Sequence, residues 1–302
     1  MTQADPTSTP RTSDAAAGAD AADSAAAVRG ARPAADIPPR RLIVTLFGLY
    51  ARAQNNWLAV AAVIRLMEEL GVPSPAVRSS ISRLKRRGML TGARHDGSAG
   101  YSLAPQTLEM LAEGDVRIFE RKRATPDDGW LTVVFSIPES ERGKRHELRT
   151  QLTRLGFGTA AAGVWVAPGN IAREAEQMLR RRGLSGYVDM FRGEHLGFGD
   201  LRSKVRAWWD LDELTALYAQ FLSRYRPVLR AADSDDFTAG DAFRAYVAAL
   251  TEWRRLPYLD PGLPHELLPP GWNGIAAASL FDGLNATLSG PAREHATALI
   301  TP

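Results

Sequence analysis

Hydrophobic and polar positions alternate along this chain with two different periods. Between residues 40 and 86, apolar side chains recur every three or four positions, which is typical of helices with one buried face. From Trp130 to Phe191, short β-rich runs alternate with helical segments, and beyond about Gly199 the helical period returns. The pattern predicts an α+β protein with more than one domain.

The segment from Ser74 to Gly88 is predicted to be a helix with one apolar and one basic face. Ser74 is placed to accept a hydrogen bond from a backbone N–H at the helix start, Pro75 is tolerated at the first helical position, and Gly88 is suited to end the helix. The apolar face is formed by residues at i, i+4 and i+7: Val77, Ile81 and Leu84. This face is expected to dock on a core and to leave the basic face free.

The neighbouring segments place this helix in a larger motif. A second amphipathic helix is predicted upstream, from Trp57 to Leu70, and only Gly71-Val72-Pro73 joins it to the basic helix. Residues 40–54 supply a first helix, while residues 89–91 and 100–103 are predicted to pair around a turn at Arg94–Ser98. The upstream helix has four residues spaced for burial: Val60, Ile64, Met67 and Leu70. Three helices and a hairpin predict a winged helix-turn-helix, in which the second helix of the motif enters the major groove of DNA.

The basic face and the hairpin supply the candidate DNA-binding residues. Arg83 and Arg86 can each offer a bidentate fork to guanine, while Ser79 and Ser82 are short enough to let the helix approach base edges or phosphates. Which of these side chains read bases and which hold the backbone stays open. Phosphate neutralisation is expected from Arg78, Lys85, Arg87, Arg94 and His95. The charges alone would also fit a surface helix whose basic face is simply solvated. The short turn to a second helix favours DNA binding over this alternative.

Charge is concentrated in the same part of the chain. The 302 residues include 37 Lys/Arg and 34 Asp/Glu, a formal net charge of +3, but residues 40–123 hold 14 Lys/Arg and 7 Asp/Glu. A polyanion is therefore expected to bind near the N-terminal third. The absence of cysteine excludes disulfides and thiolate metal sites, and it suits the reducing cytoplasm where we expect the protein to lie. No apolar run reaches the roughly 18 residues that could span a bilayer, so no membrane partner is expected.

The rest of the chain predicts two further domains. The order strand, helix, strand or strand pair, helix, strand between Trp130 and Phe191 predicts a ferredoxin-like α/β sandwich, and an all-α C-terminal domain follows. The basic run Arg117–Arg123 is interpreted as part of a linker helix, with an additional phosphate contact as the alternative. The predicted division is a disordered tail at 1–37, a winged domain at 38–104, a linker helix at 105–127, a ferredoxin-like domain at 128–198, a helical domain at 199–290 and a C-terminal tail at 291–302.

Three stretches of the chain resemble the PaaX family of phenylacetic-acid catabolon repressors. They are Val77–Gly88, Gly163-Val164-Trp165 and the proline-rich segment from Trp253 to Pro269. The resemblance extends from residue 38 to about residue 290 and joins three unlike domains in one order. It implies a homodimeric bacterial transcription regulator that represses an aromatic-acid (phenylacetate-type) catabolic operon. It also implies release from operator DNA by an aryl-acyl-CoA effector such as phenylacetyl-CoA.

Effector binding is expected at the proline-rich segment, and no other cofactor or metal ion is expected. A CoA thioester offers phosphates to cations and aromatic groups to aromatic side chains. Five residues suit it: Trp253, Arg254, Arg255, Tyr258 and His265. The alternative is that Trp253 and Tyr258 pack the helical core and the two arginines brace the proline-rich loop.

The central domain of the family also resembles small ferredoxin-like nucleases associated with CRISPR systems. A metal-dependent nuclease or other nucleic-acid-processing protein is therefore the alternative function. Such cleavage needs a carboxylate at the end of the first strand to hold a hard cation. Here the strand reads Val133-Val134-Phe135-Ser136-Ile137 and offers only a hydroxyl, and Asp189 is interpreted as a surface carboxylate. We therefore predict a regulator without catalytic residues.

Overall fold

The structure is a computed structural model that describes residue 34 and residues 36–120 and 122–301. The predicted tail at 1–37 lies outside these residues except for positions 34, 36 and 37. The chain forms two compact units. Unit 1 takes the chain up to Leu103 together with Ser223–Ala249 and the chain from Leu280 onward, and unit 2 takes Ala104–Leu222 and Leu250–Ser279. The C-terminal helices thus contribute to both units, whereas the sequence predicted one separate domain for them.

Unit 1 begins with three helical segments and a small antiparallel sheet. The sheet has the order β1-β3-β2. The elements are α1 (Pro39–Leu46, continued by a π-helical turn at Phe47–Ala51 and a 3-10 turn at Arg52–Gln54), β1 (Trp57–Ala59), α2 (Val60–Glu69), α3 (Ser74–Arg86), β2 (Leu90–His95) and β3 (Ser98–Leu103).

The first strand corrects one prediction. Trp57–Ala59 form β1, opposite residues 100–102 of β3, rather than the first turn of a helix. The short apolar run fits either period, and pairing with β3 satisfies its backbone groups. The helix therefore starts at Val60, and its buried face is rotated from the predicted one. Met67 and Leu70 are buried as predicted, but Val60 and Ile64 are half-buried, and their expected places are taken by Ala62, Val63 and Leu66.

The hairpin is tighter than the sequence predicted. Strands β2 and β3 pair from Leu90 opposite Leu103 to His95 opposite Ser98. Only Asp96 and Gly97 connect them, with φ of 48° and 79°. Two consecutive positive φ angles are the geometry of a two-residue type I′ turn, for which Asp-Gly is a preferred sequence. Arg94 and His95 therefore lie in a strand and not in the turn.

Unit 2 contains a four-stranded antiparallel sheet of order β5-β6-β4-β7. Helices α5 and α6 each bury one side in a common core with β4, through Leu148 and Leu152 on α5 and Ala175 and Leu179 on α6. The elements are α4 (Pro105–Phe119), β4 (Trp130–Phe135), α5 (Arg142–Arg154), β5 (Gly158–Ala161), β6 (Val164–Pro168), α6 (Ala172–Arg181), β7 (Val188–Gly193) and α7 (Leu201–Trp208). The mixed α+β class predicted from the sequence is confirmed.

The C-terminal part of the chain is helical to Ile300. Its elements are α8 (Leu211–Ala231), α9 (Ala239–Trp253), α10 (Leu256–Leu259) and α11 (Gly274–Ile300). Helix α11 continues through Pro291, so residues 291–300 are helical where a tail was predicted. Within unit 1 the Arg65 guanidinium donates to the Leu299 carbonyl oxygen at 2.8 Å, which holds the end of this helix. None of the helices in the described ranges is long and apolar enough to cross a membrane.

Candidate nucleic-acid interface

Helix α3 starts where the sequence predicted, but a different residue caps it. Pro73 is the N-cap in an extended conformation (φ −69°, ψ 146°), and no side chain caps the helix. Ser74 is already the first helical residue, and its Oγ accepts a hydrogen bond from Arg78 Nε at 3.4 Å. The predicted capping role of Ser74 is wrong. Pro73 and Pro75 both fix φ near the helical value, which stabilises the start without a capping hydroxyl.

The buried face of α3 is the predicted one. Val77, Ile81 and Leu84 have relative exposures of 0, 3 and 4%, and Ser80 between them is also buried. Burying these apolar side chains contributes roughly 1.5–3 kcal/mol each. That burial fixes the rotation of the helix about its axis, and the rotation decides which side chains face solvent.

The C-terminal end of α3 is fixed by Gly88. Gly88 has φ of +67°, its N–H donates to Lys85 O at 2.9 Å, and the N–H of Met89 donates to Leu84 O at 3.0 Å. These two bonds form a Schellman motif, which ends a helix sharply and requires a left-handed residue. The chain therefore passes directly from the basic helix into β2.

All nine predicted DNA-binding residues are exposed: Arg78, Ser79, Ser82, Arg83, Lys85, Arg86, Arg87, Arg94 and His95. The segment Ser74–His95 contains six Lys/Arg and no Asp/Glu. Within the described ranges, no ion pair involves any of these six cations. The charge of this surface is therefore available to a polyanion from outside.

Two contacts brace the basic residues of the hairpin. The Arg94 guanidinium donates to Gly97 O at 3.0 Å across the turn. The His95 ring stacks on the Trp57 indole with centroids 4.8 Å apart. The hairpin therefore holds both side chains in defined positions.

Helix α3 and the sheet also meet directly. Lys85 Nζ lies 5.9 Å from the centre of the Tyr101 ring on β3, within the range of a cation–π contact. Gly100 is required beside it, because a Cβ at this position would overlap the Trp57 indole. The helix and the hairpin thus present one continuous cationic surface.

The five predicted effector residues do not form one cluster among the contacts that the structure gives. Trp253 is 4% exposed, and its ring packs against Tyr218 and Phe221 with centroids 6.2 and 5.2 Å away. Its Nε1 donates to the Ile118 carbonyl oxygen at 3.4 Å. Trp253 therefore belongs to the core of unit 2, as the alternative interpretation expected.

Tyr258 has a different neighbour, the Arg117 guanidinium, whose carbon lies 5.1 Å from the ring centre. Burial raises the pKa of Tyr258, and Arg117 partly opposes this. Of the other three residues, Arg254 is half-buried, and Arg255 and His265 are exposed.

Arg117 and Asp260 form buried contacts that the sequence did not predict. Arg117 is 7% exposed and donates to Pro257 O at 3.1 Å and to Glu174 at 3.2 Å. A phosphate contact by Arg117 is therefore excluded. Asp260 is 2% exposed and accepts hydrogen bonds from Tyr218 Oη at 2.8 Å, Arg123 at 2.9 Å and the Gly262 N–H at 2.7 Å. These contacts fix the proline-rich loop to α4, α8 and the chain after α4.

No group of three or more His, Cys, Asp or Glu in the described part of the chain could hold a metal ion. Strand β4 ends at Phe135 and is followed by Ser136, whose N–H donates to Tyr187 O at 3.1 Å. Asp189 is exposed on β7, opposite Val134. The hydroxyl at the end of β4 cannot supply the negative charge that a hard cation needs.

Three family models match the chain in series. Residues 39–107 match a model described as PaaX-like protein, residues 123–205 the PaaX protein central Cas2-like domain, and residues 209–298 the PaaX-like protein C-terminal domain. The chain is 28% identical over 246 residues to the transcriptional repressor PaaX of Escherichia coli (strain K12), with 79% of this chain and 77% of that protein covered. An uncharacterized protein from Mycobacterium tuberculosis has a similar fold, with a TM-score of 0.54, 24% identity, and coverage of 84% of this chain and 97% of that one.

The fold and the exposed basic helix define the class: an α+β protein with a cationic surface suited to nucleic acid. The three serial matches give the particular family. The chain belongs to the PaaX family.

Proposed function

We propose that this protein is a DNA-binding transcriptional repressor whose winged helix-turn-helix is formed by α1–α3, β2 and β3. The observation that carries the proposal is the cationic surface of α3 and the hairpin, whose nine candidate residues are all exposed while the opposite face of α3 is buried. The similarity to the E. coli repressor supports the sign of regulation. The target is an operon for aromatic-acid (phenylacetate-type) catabolism.

Helix α3 enters the major groove and the hairpin contacts the flanking backbone. Arg83 and Arg86 read guanine through bidentate hydrogen bonds, and Ser79 and Ser82 allow the close approach that these bonds need. The remaining five residues neutralise phosphates: Arg78, Lys85, Arg87, Arg94 and His95. Binding therefore weakens steeply as salt is raised, because each neutralised phosphate releases counterions.

The central domain is a ferredoxin-like sandwich, which its sheet order β5-β6-β4-β7 and two covering helices support. It acts as a structural and binding domain and not as a nuclease, since Ser136 stands where metal-dependent cleavage needs a carboxylate. The protein acts as a cytoplasmic homodimer. Two copies of α3 then lie about 34 Å apart, or a multiple of it, and read a pseudo-palindromic operator.

An aryl-acyl-CoA thioester, of which phenylacetyl-CoA is the proposed example, releases the repressor. Arg255 and His265 are exposed and can meet its phosphates, and the half-buried Arg254 and Tyr258 are close to Arg255 in sequence. Trp253 is buried, so it takes part only if the core of unit 2 rearranges around the ligand.

The proposed reading surface is tested by replacing its two central arginines. R83A/R86A removes both bidentate donors, and we expect the specific gel shift on the DNA upstream of the chain's own gene to be lost. Each lost guanine contact costs roughly 1–3 kcal/mol of discrimination. Folding should be retained, because substitutions of exposed side chains change stability by about 0.5 kcal/mol or less.

The matched control is R226A/R230A, which removes two exposed arginines from α8. It should bind the same DNA with the affinity of the wild type. Footprinting in Mg²⁺ or Mn²⁺ should give a protected site on intact DNA. Specific binding by R83A/R86A at wild-type affinity would place the reading surface elsewhere, and metal-dependent cleavage would favour the nuclease.

A further inference from the structure

A second cationic surface lies on helices α5 and α6 of unit 2. The segment 142–182 contains nine Lys/Arg and only three Asp/Glu. The net charge of this part of the chain does not reveal the surface. The whole chain is +3 and residues 40–123 contribute +7, which leaves −4 for all other residues. Helices α5 and α6, which share one core over β4, carry most of these cations.

The packing of the two helices determines which cations face solvent. Both helices bury one side in the core over β4. Outside this buried side, each helix has two exposed arginines at i and i+7: Arg142 and Arg149 on α5, and Arg173 and Arg180 on α6. Two helical turns separate the members of each pair by about 10 Å along the axis. We call these four residues the exposed arginine face.

Carboxylates compensate part of this charge. From outside the segment, Glu139 pairs with Arg145 at 2.9 Å and Glu113 pairs with Arg181. Glu147 lies 4.0 Å from Arg182, Glu176 pairs with Arg180 at 2.7 Å, and Glu174 pairs with the buried Arg117 at 3.2 Å. All three acids of the segment are thus engaged. Within the ranges that the structure describes, Arg142, Arg149 and Arg173 have no ion pair.

We propose that the exposed arginine face binds the phosphate backbone of duplex DNA without reading its sequence. The proposal rests on the proposed function and adds to it a second DNA contact in the central domain. A DNA strand carries one phosphate per 3.4 Å of axis, so each arginine pair matches a length of about three nucleotides. Arginine suits this partner because its planar fork binds phosphate oxygens in a bidentate way.

The shape of the surface favours backbone contact over base reading. Helices α5 and α6 share one core and are joined by the Arg182–Glu147 contact, so they lie side by side on the sheet. Two packed helices, with axes 8–10 Å apart and diameters of about 10 Å each, form a surface too broad for a major groove about 12 Å wide. Long side chains on such a surface can reach phosphates but not base edges.

The test compares R142A/R149A with wild type and with R226A/R230A in the full-length protein. Binding to fluorescent random-sequence duplexes of about two and about six helical turns is measured by anisotropy over a range of salt concentrations. The control variant removes the same net charge from exposed positions of α8. Thermal unfolding of each variant checks that the fold is kept.

R142A/R149A should bind the long duplex roughly tenfold more weakly at low salt, and the slope of log K against log salt should fall by about 1 to 2. The control should keep the wild-type slope. The ratio of operator to random-DNA affinity should stay unchanged in R142A/R149A, because this face reads no bases.

Three outcomes would overturn the proposal. The first is a wild-type salt slope in R142A/R149A, and the second is an equal loss of DNA affinity in R226A/R230A. The third is unchanged DNA binding by R142A/R149A together with a lost response to phenylacetyl-CoA, which would mean that the exposed arginine face binds the phosphates of the effector. Failure of the proposed function has a different signature. In that case either the wild type would show no preference for operator over random DNA, or R83A/R86A would retain the wild-type preference. The effect of R142A/R149A on binding to random DNA could still be measured.

Discussion

At the residue scale, the proline-rich loop depends on one buried carboxylate. Asp260 accepts hydrogen bonds from the Tyr218 hydroxyl, the Arg123 guanidinium and the Gly262 N–H. Arg123 also donates to the Leu263 carbonyl oxygen at 3.0 Å. A buried carboxylate with both oxygens hydrogen-bonded holds its surroundings in one arrangement, and removing it takes this acceptor away from a cation and a hydroxyl.

Asp260→Ala should therefore destabilise the protein by about 3 kcal/mol. Urea unfolding followed by tryptophan fluorescence measures the change, since Trp253 and Trp272 lie near the loop in sequence. Asp282→Ala removes an exposed carboxylate from α11 and serves as the control, with an expected effect within about 0.5 kcal/mol. Equal midpoints for the two variants would mean that the Asp260 contacts contribute nothing to stability.

The sequence alone could not have identified this cluster. Arg123 and Asp260 are 137 positions apart, and neither belongs to a periodic pattern that would bring them together. Charged side chains are almost never fully buried unless they are paired, and nothing in the sequence indicated a partner for Asp260. By contrast, the burial of Val77, Ile81 and Leu84 follows from spacing within one helix and was predicted.

At the element scale, prediction succeeded where the information is local. Helix α3 and its glycine stop depend on neighbouring residues, and the structure places both where the sequence did. Strand β1 was missed because its hydrogen-bond partner, β3, lies more than 40 residues further along the chain. Helix α9 starts at Ala239, after a cap built from Thr238 and Asp241.

This cap makes a quantitative prediction. Thr238 Oγ1 accepts from the Asp241 N–H at 3.1 Å, and the Thr238 N–H donates to Asp241 Oδ2 at 3.0 Å. Thr238→Ala should lower the free energy of unfolding by about 1 kcal/mol, and Thr238→Ser should restore most of it. Chemical denaturation at neutral pH measures both variants, and equal stability of Ala and Ser variants would contradict a capping role.

The effect of Thr238→Ala should also depend on pH. Burial raises the pKa of Asp241, but hydrogen bonds from Thr238 and Arg244 outweigh it and hold the pKa below its usual value. A depressed pKa contributes stability above the unfolded-state pKa of about 4, and this contribution is lost as the pH falls through the folded value. The stability gap between wild type and Thr238→Ala should therefore narrow below about pH 4.

At the scale of the whole molecule, charge segregation carries more information than net charge. A formal +3 on 302 residues describes a nearly neutral protein, yet α3 with its hairpin, and α5 with α6, are each strongly basic on one side. Sequence reasoning found the first surface because 22 consecutive residues contain no acid. It missed the second because only the packing of α5 and α6 shows which of their mixed charges face solvent.

The proposed regulation by an effector makes a demand on the whole molecule. A ligand shifts the balance between DNA-binding and released forms only by its difference in affinity for the two. Each charge-assisted contact to a phosphate of the thioester contributes about 1.5–3 kcal/mol where it forms. Among the five candidate residues, Arg255 is exposed and always charged, so its contact can be removed without opening the core of unit 2.

Arg255→Ala should leave operator binding unchanged and raise the phenylacetyl-CoA concentration needed for half-release about tenfold, the equivalent of about 1.4 kcal/mol. Gel shifts titrated with phenylacetyl-CoA measure this, with free CoA as a ligand control and Arg230→Ala as the matched exposed arginine. Calorimetric titration of the DNA-free protein separates weaker ligand binding from a weaker coupling to DNA. A wild-type response of Arg255→Ala in both measurements would exclude this residue from the effector site, and weakened DNA binding without ligand would assign it to the interface instead.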